Sequence, residues 1–185
     1  MPLPTFIIAG APKCGTTALW NYLNEHPEVC MARIKEPRFF SQIQGELDKG
    51  KMGSGPLRSG YFNRGLKWYE SLFDSCQQSK VRGESSTYYF SAIDSAALIK
   101  SLIPEVRLIF LLRDPVKRLY SHYWQEYKLG LELPSFEELV ENNHPRFQYY
   151  SYVSSYKINL ERFFLEFPNN HVLLLLIEYL KKNPH

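Results

Sequence analysis

The chain has 185 residues, 44% of them hydrophobic, which suits one globular domain with a real core and excludes a disordered or fibrous protein. Lys and Arg outnumber Asp and Glu by 22 to 19, a formal charge of +3. That excess is too slight to hold nucleic acid through bulk charge, so any anion site must be local.

The N-terminus, Met1-Pro2-Leu3-Pro4, lacks a basic region followed by a long apolar run. Thr5 to Ala9 is a short, β-branched apolar run stopped by Gly10, the pattern of a fully buried strand. After Gly15-Thr16-Thr17, the residues Ala18, Leu19, Tyr22 and Leu23 recur at helical spacing until His26-Pro27. Arg33 to Phe40 is a charged and aromatic connector, and the glycine-rich stretch from Gly45 to Gly65 reads as a surface loop excursion. Trp68 to Phe73 fits a short helix, Lys80 to Ser85 a short strand, and Ala92 to Leu102 a helix stopped by Pro104. Val106 to Leu112 is a second buried strand, and Pro115 starts a helix expected to run to about Lys128. Phe136 to Val140 and Tyr156 to Phe167 read as helices, and Val172 to Ile177 as a third buried strand. This alternation predicts an α/β fold: a central, mainly parallel sheet flanked by helices in three layers.

No run approaches the ~18 apolar residues of a membrane span. Cys14, Cys30 and Cys76 are odd in number and unrelated in spacing. They fit neither a disulfide framework nor paired metal ligands, so a reducing compartment and a cytoplasmic location are expected.

Gly10-Ala11-Pro12-Lys13-Cys14-Gly15-Thr16-Thr17 has the glycine spacing of a phosphate loop, placed between a buried strand and a helix. Backbone N–H groups and the helix N-terminus there face an anion. A nucleotide-hydrolysing P-loop needs lysine directly after the second glycine, where this chain has Thr16, its lysine having moved back to Lys13. A cysteine phosphatase needs arginine six residues beyond its nucleophile, and six beyond Cys14 is Trp20. Cys14 therefore reads as a small loop residue.

Pro12-Lys13-Cys14-Gly15-Thr16-Thr17 resembles the donor loop Pro-Lys-x-Gly-Thr-[Thr/Ser] of the sulfotransferases that use 3′-phosphoadenosine-5′-phosphosulfate (PAPS). Arg113-Asp114-Pro115 with Ser121 eight residues after the arginine resembles the same family's 3′-phosphate motif. An arginine at a strand's carboxyl end offers a fork of donors to phosphate, and the serine hydroxyl lies on the following helix. The resemblance implies a P-loop-type fold and PAPS bound by Lys13, Cys14, Gly15, Thr16, Thr17, Ala18, Arg113 and Ser121. Lys35-Glu36-Pro37-Arg38-Phe39-Phe40 resembles a segment of the branch that includes glycosaminoglycan and bacterial sulfotransferases. It implies Glu36 as general base, Lys13 as the group that stabilises the leaving phosphate, and no metal.

Glu84 is the rival base, and Phe39, Phe40, Tyr88 and Tyr89 are candidates to wall an acceptor cleft. His26 and His122 read as structural. The implied partner is a small-molecule, glycan or lipid acceptor bearing a hydroxyl or amine, with no nucleic acid and no membrane span; oligomeric state is not legible. The resemblance covers nearly the whole chain as a single domain, 1–185, and implies that the family's C-terminal segment is lacking. A small-molecule P-loop kinase and a non-catalytic nucleotide-binding domain are the alternative readings.

Overall fold

A computed structural model describes residues 3–41 and 61–182. Five parallel strands form one sheet in the order β2-β3-β1-β4-β5. They are β1 (Phe6–Gly10), β2 (Val29–Met31), β3 (Val81–Ser85), β4 (Arg107–Leu112) and β5 (Val172–Leu176). Every residue of β1 is buried, as its unbroken apolar run requires of a central strand covered on both faces.

The helices are α1 (Thr16–Glu25), α2 (Leu66–Ser71), α3 (Ser95–Leu102), α4 (Pro115–Lys128), α5 (Phe136–Glu141), α6 (Pro145–Ser154), α7 (Tyr156–Glu166) and α8 (Ile177–Lys182). Each expected strand and helix from Phe6 to Leu176 is present within a few residues of its predicted limits. Of the expected excursion from Gly45 to Gly65, Tyr61–Arg64 form a turn of 3-10 helix, and the part before residue 61 lies outside the described residues.

Three elements escaped the sequence reading. β2 has three residues, too few for a periodic signal. α6 carries tyrosines around its circumference and so shows no clean apolar stripe. α8 follows β5 directly, inside what reads as one apolar run.

The expectation of a buried third strand is corrected. Among the described residues β5 is an edge strand paired with β4 alone, and Leu173, Leu174 and Leu176 are 50%, 43% and 55% exposed. An apolar run reports what a strand is made of, and here the position in the sheet decides its burial.

The cysteine expectation is also corrected. Cys30 on β2 and Cys76, in the turn after α2, form a disulfide with their Cα atoms 5.5 Å apart, inside the usual range for such a bond. Spacing along the chain hides the pair because β2 and that turn meet only when the sheet edge folds over. Cys14 is the free cysteine, buried in the main core.

In open parallel sheets, ligands bind beyond the carboxyl ends of the strands where the direction of winding reverses. Here the reversal is at β1, whose neighbours are β3 on one side and β4 on the other. The loops leaving β1, β3 and β4 therefore converge.

Candidate active site

The loop leaving β1 bends through left-handed backbone at Lys13 (φ 69°) and Gly15 (φ 91°) before α1 begins. Gly15 is required there. A Cβ would stand in a region disfavoured for L residues and would clash with Ile177 Cδ1. Gly15 O accepts from the N–H groups of Ala18 and Leu19, so α1 starts at once and aims its N-terminal N–H groups back over the loop. The first turn of α1 holds no acidic residue to compete with a bound anion.

Cations surround this terminus. Burial and the neighbouring charges of Arg113, Lys128 and Arg118 hold the Lys13 ammonium below the usual lysine range. Arg113, at the carboxyl end of β4, directs Nη1 at the Lys13 carbonyl from 3.5 Å. Arg113 is not bound up with Asp114: the Asp114 carboxylate caps α4 by accepting from Lys117 N–H at 2.8 Å, and Asp114 N–H donates to Glu178 at 3.0 Å. Arg118 is fully buried, donating to Ser154 Oγ at 2.7 Å and to the Tyr150 carbonyl at 2.8 Å. A set of cations repelling one another is stable chiefly when an anion joins it, so the donor set fits a phosphate or sulfate ester.

A cavity of about 440 Å³ opens in front of the loop, in the size range of small-molecule sites. Lys13, Gly15, Thr16, Thr17, Glu36 and Ser121 all line it. Three residues expected to bind the donor, Cys14, Ala18 and Arg113, do not line it. The Cys14 side chain points into the core, 3.7 Å from both the Pro12 carbonyl and the Tyr156 hydroxyl, and burial pushes its thiol up. Ala18 and Arg113 flank the loop outside the cavity lining.

Glu36 sits on the connector after β2 in left-handed backbone, φ 59°. The loop leaving β3 fixes it there. Glu36 N–H donates to the Ser85 carbonyl at 2.8 Å, while Thr87 N–H and Thr87 Oγ1 donate to the two carboxylate oxygens at 3.0 and 2.9 Å. Lys35 Nζ lies 3.4 Å and Arg38 Nε 3.8 Å from the same carboxylate.

Glu84, the rival base, is fully buried on β3 and does not line the cavity. Tyr69 donates to it at 2.5 Å, and desolvation pushes its carboxyl up to about 7. The strand alternation explains the outcome: Glu84 points into the core, and the chain must leave β3 before Thr87 reaches the cavity.

His122 lines the cavity from α4, and burial together with Arg118, Lys13 and Arg146 lowers its imidazole to about 3. Arg118 Nη1 stands 3.2 Å from Nδ1. A guanidinium only donates, so Nδ1 accepts and the ring proton resides on Nε2. His122 is thus a neutral donor, poorly suited to take a proton. His26 caps the end of α1, its Nδ1 accepting from Glu28 N–H at 3.2 Å.

Of the four aromatic residues expected to wall an acceptor cleft, Tyr88 lines the cavity. Phe39, Phe40 and Tyr89 are fully buried in the main core, where Phe39 stacks on Tyr69 at 4.5 Å between ring centroids. That part of the expectation is corrected: Pro37 and the turn at Arg38 direct the next two rings inward. Residues that sequence reading missed are Thr87, Gln125, Glu126 and Tyr149. Gln125 and Glu126 were findable, lying one helical turn beyond Ser121 and His122 on the same face. Tyr149 was not, because α6 itself went unseen.

Comparison with known proteins agrees with this arrangement. A model of the sulfotransferase domain matches residues 3–185. Heparan sulfate glucosamine 3-O-sulfotransferase 3A1 of Mus musculus is 32% identical over 141 residues, covering 76% of this chain and 31% of that protein. Heparan sulfate glucosamine 3-O-sulfotransferase 6 of Homo sapiens is 30% identical over 98% of this chain and 48% of its own length. The chain therefore spans less than half of these curated relatives. A crystal structure of a sulfotransferase from Alicyclobacillus acidocaldarius superposes with a TM-score of 0.80 at 28% identity, over all of this chain and 77% of that one. With a donor-type loop, a facing carboxylate and a family model that matches nearly end to end, the chain belongs to the sulfotransferase family.

Proposed function

We propose that this chain transfers a sulfuryl group from PAPS to a hydroxyl or amine, with Glu36 as the base and Lys13 as the electrostatic partner of the leaving phosphate. The observation that carries the reading is the shared cavity: Glu36 faces the same space as Lys13, Thr16, Thr17 and Ser121.

The donor supplies an activated sulfur whose leaving group is a phosphate. The protein's own residues do the rest. The α1 N-terminus and the Thr16 and Thr17 groups orient the phosphate end, and Arg113 beside the loop and Ser121 on the cavity wall are the proposed contacts of a second phosphate. The Glu36 carboxylate takes the acceptor's proton as its oxygen or nitrogen attacks, without which that atom is a poor nucleophile. Lys13 stabilises negative charge as it grows on the departing oxygen.

The relatives named above are heparan sulfate enzymes, which supports a sugar-bearing acceptor class for this branch. The Cys30–Cys76 disulfide supports an oxidising compartment in place of the cytoplasm.

The test is ligand-induced thermal stabilisation by adenosine 3′,5′-bisphosphate (PAP), AMP, and ATP with Mg²⁺. PAP should stabilise the protein well above AMP. Equal shifts for PAP and AMP would remove the Arg113 and Ser121 assignment, and preference for ATP with Mg²⁺ would favour a kinase.

A further inference from the structure

The same cavity is also walled by residues of α4, α6 and the turn after β3. Tyr88 and Tyr149, both half-buried, face it together with His122, Gln125 and Glu126. The groups form one connected wall. Tyr149 packs edge-on against His122 at 5.6 Å, and Tyr88 feels the charges of Arg38, Glu36 and Glu126.

The charges of this wall are matched. Apart from the phosphate loop, the lining holds Lys35 and Arg38 against Glu36 and Glu126. Lys35 and Arg38 both lean on Glu36, and Arg38 also lies over the Tyr88 ring, 3.7 Å from its centroid. Glu126 is engaged by Arg146 and by the Tyr150 hydroxyl. A sulfated or carboxylated chain brings only acceptors and negative charge, so it needs free cations and is repelled by carboxylates. A hydroxyl compound brings donors that Glu36 and Glu126 accept, and an oxygen that His122 Nε2–H can reach. Tyrosine faces suit a flat ring at low cost in side-chain entropy.

We infer that the wall of Tyr88, Tyr149, His122, Gln125 and Glu126 takes an uncharged hydroxyl compound presenting a ring face, a phenol or an unsulfated sugar, and not a polyanionic chain. This rests on the sulfuryl-transfer reading and names the substrate class of the same site. It places the chain apart from the heparan sulfate relatives in acceptor chemistry while retaining their family's donor end.

The experiment uses the full chain saturated with PAP, whose binding is established first by thermal shift. Calorimetry then measures 4-methylphenol, cellobiose and a heparin tetrasaccharide at roughly 50 and 300 mM salt, because added salt screens charge attraction and leaves stacking intact. At least one uncharged ring should bind with little salt dependence and outcompete the heparin fragment at the higher salt. The phenol and sugar arms decide which source of ring is used. Tyr149→Ala should weaken that ligand by about 2- to 12-fold, the worth of an aromatic contact, with the PAP shift unchanged and Tyr149→Phe restoring binding. Tighter binding of the heparin fragment at high salt would overturn the inference, as would PAP binding with neither uncharged ring bound. Absence of a PAP shift would instead overturn the sulfuryl-transfer reading, and this inference with it.

Discussion

Breaking the Cys30–Cys76 disulfide has a calculable cost. The bond closes a loop across 46 residues. In the chain-entropy treatment, freeing a loop of that length raises the entropy of the unfolded chain enough to destabilise the fold by about 4 kcal/mol at 25 °C. For a domain of this size each kcal/mol moves the melting temperature by about 2–4 °C, so the loss should be about 8–16 °C. The assay is thermal unfolding of the purified protein with and without reductant, beside the Cys30→Ser, Cys76→Ser double variant. The reduced protein and the variant should melt together, well below the oxidised protein. Cys14 does not confuse the comparison, since it is a free, buried thiol in either state. Identical melting with and without reductant would refute the reasoning, as would titration of three free thiols in the unfolded, unreduced protein.

Three further outcomes follow from the site and its surroundings. Glu36→Gln should keep PAP binding and lower turnover by about 10²–10⁴-fold, and loss of PAP binding in calorimetry would make Glu36 structural instead. Arg113→Ala should weaken PAP by about 10- to 150-fold, the loss of a charge-assisted contact, and AMP far less; equal losses would separate Arg113 from the second phosphate. Glu84 titrates near 7 in the fold against 4.5 when free. Folded protein therefore holds a proton that unfolded chain has released between those values, and stability falls as pH rises through that window by about 3 kcal/mol. Glu84→Gln should flatten the melting profile between pH 5 and 8, and an unchanged slope would show that another group sets it.

Much of the fold was legible because its central strands are near-continuous apolar runs with glycine or proline punctuation, a signal that survives without tertiary context. The phosphate-type loop was legible for a different reason: it is a run of consecutive residues, Lys13 through Thr17, between a strand and a helix. The opposite wall of the cavity was not, because it is assembled from Tyr88, Gln125, Glu126 and Tyr149 on three separate elements. The disulfide and the core positions of Phe39, Phe40 and Tyr89 failed for the same reason: each depends on which elements meet, and no local pattern records that. The resemblance already favoured Glu36 over Glu84; what the fold adds is that Glu84 is buried in the core while Glu36 lines the cavity.

The placement of Glu36 shows how the sheet sets the geometry of the cavity. A non-glycine residue in left-handed backbone costs roughly 1–2 kcal/mol, and the following Pro37 further disfavours the helical alternative. Such strain persists only where the surroundings over-determine it. Here they do: the Ser85 carbonyl, the Thr87 N–H and the Thr87 hydroxyl each hold the residue, and at roughly 0.5–1.5 kcal/mol net apiece, more for those to a charged group, they offset the strain. All three partners belong to β3 or the turn that leaves it. β3 pairs directly with β1, whose loop carries Lys13. One parallel ladder therefore sets the position of the Glu36 carboxylate relative to the Lys13 loop, and the strained connector only has to deliver that carboxylate to a place that rigid elements have already fixed.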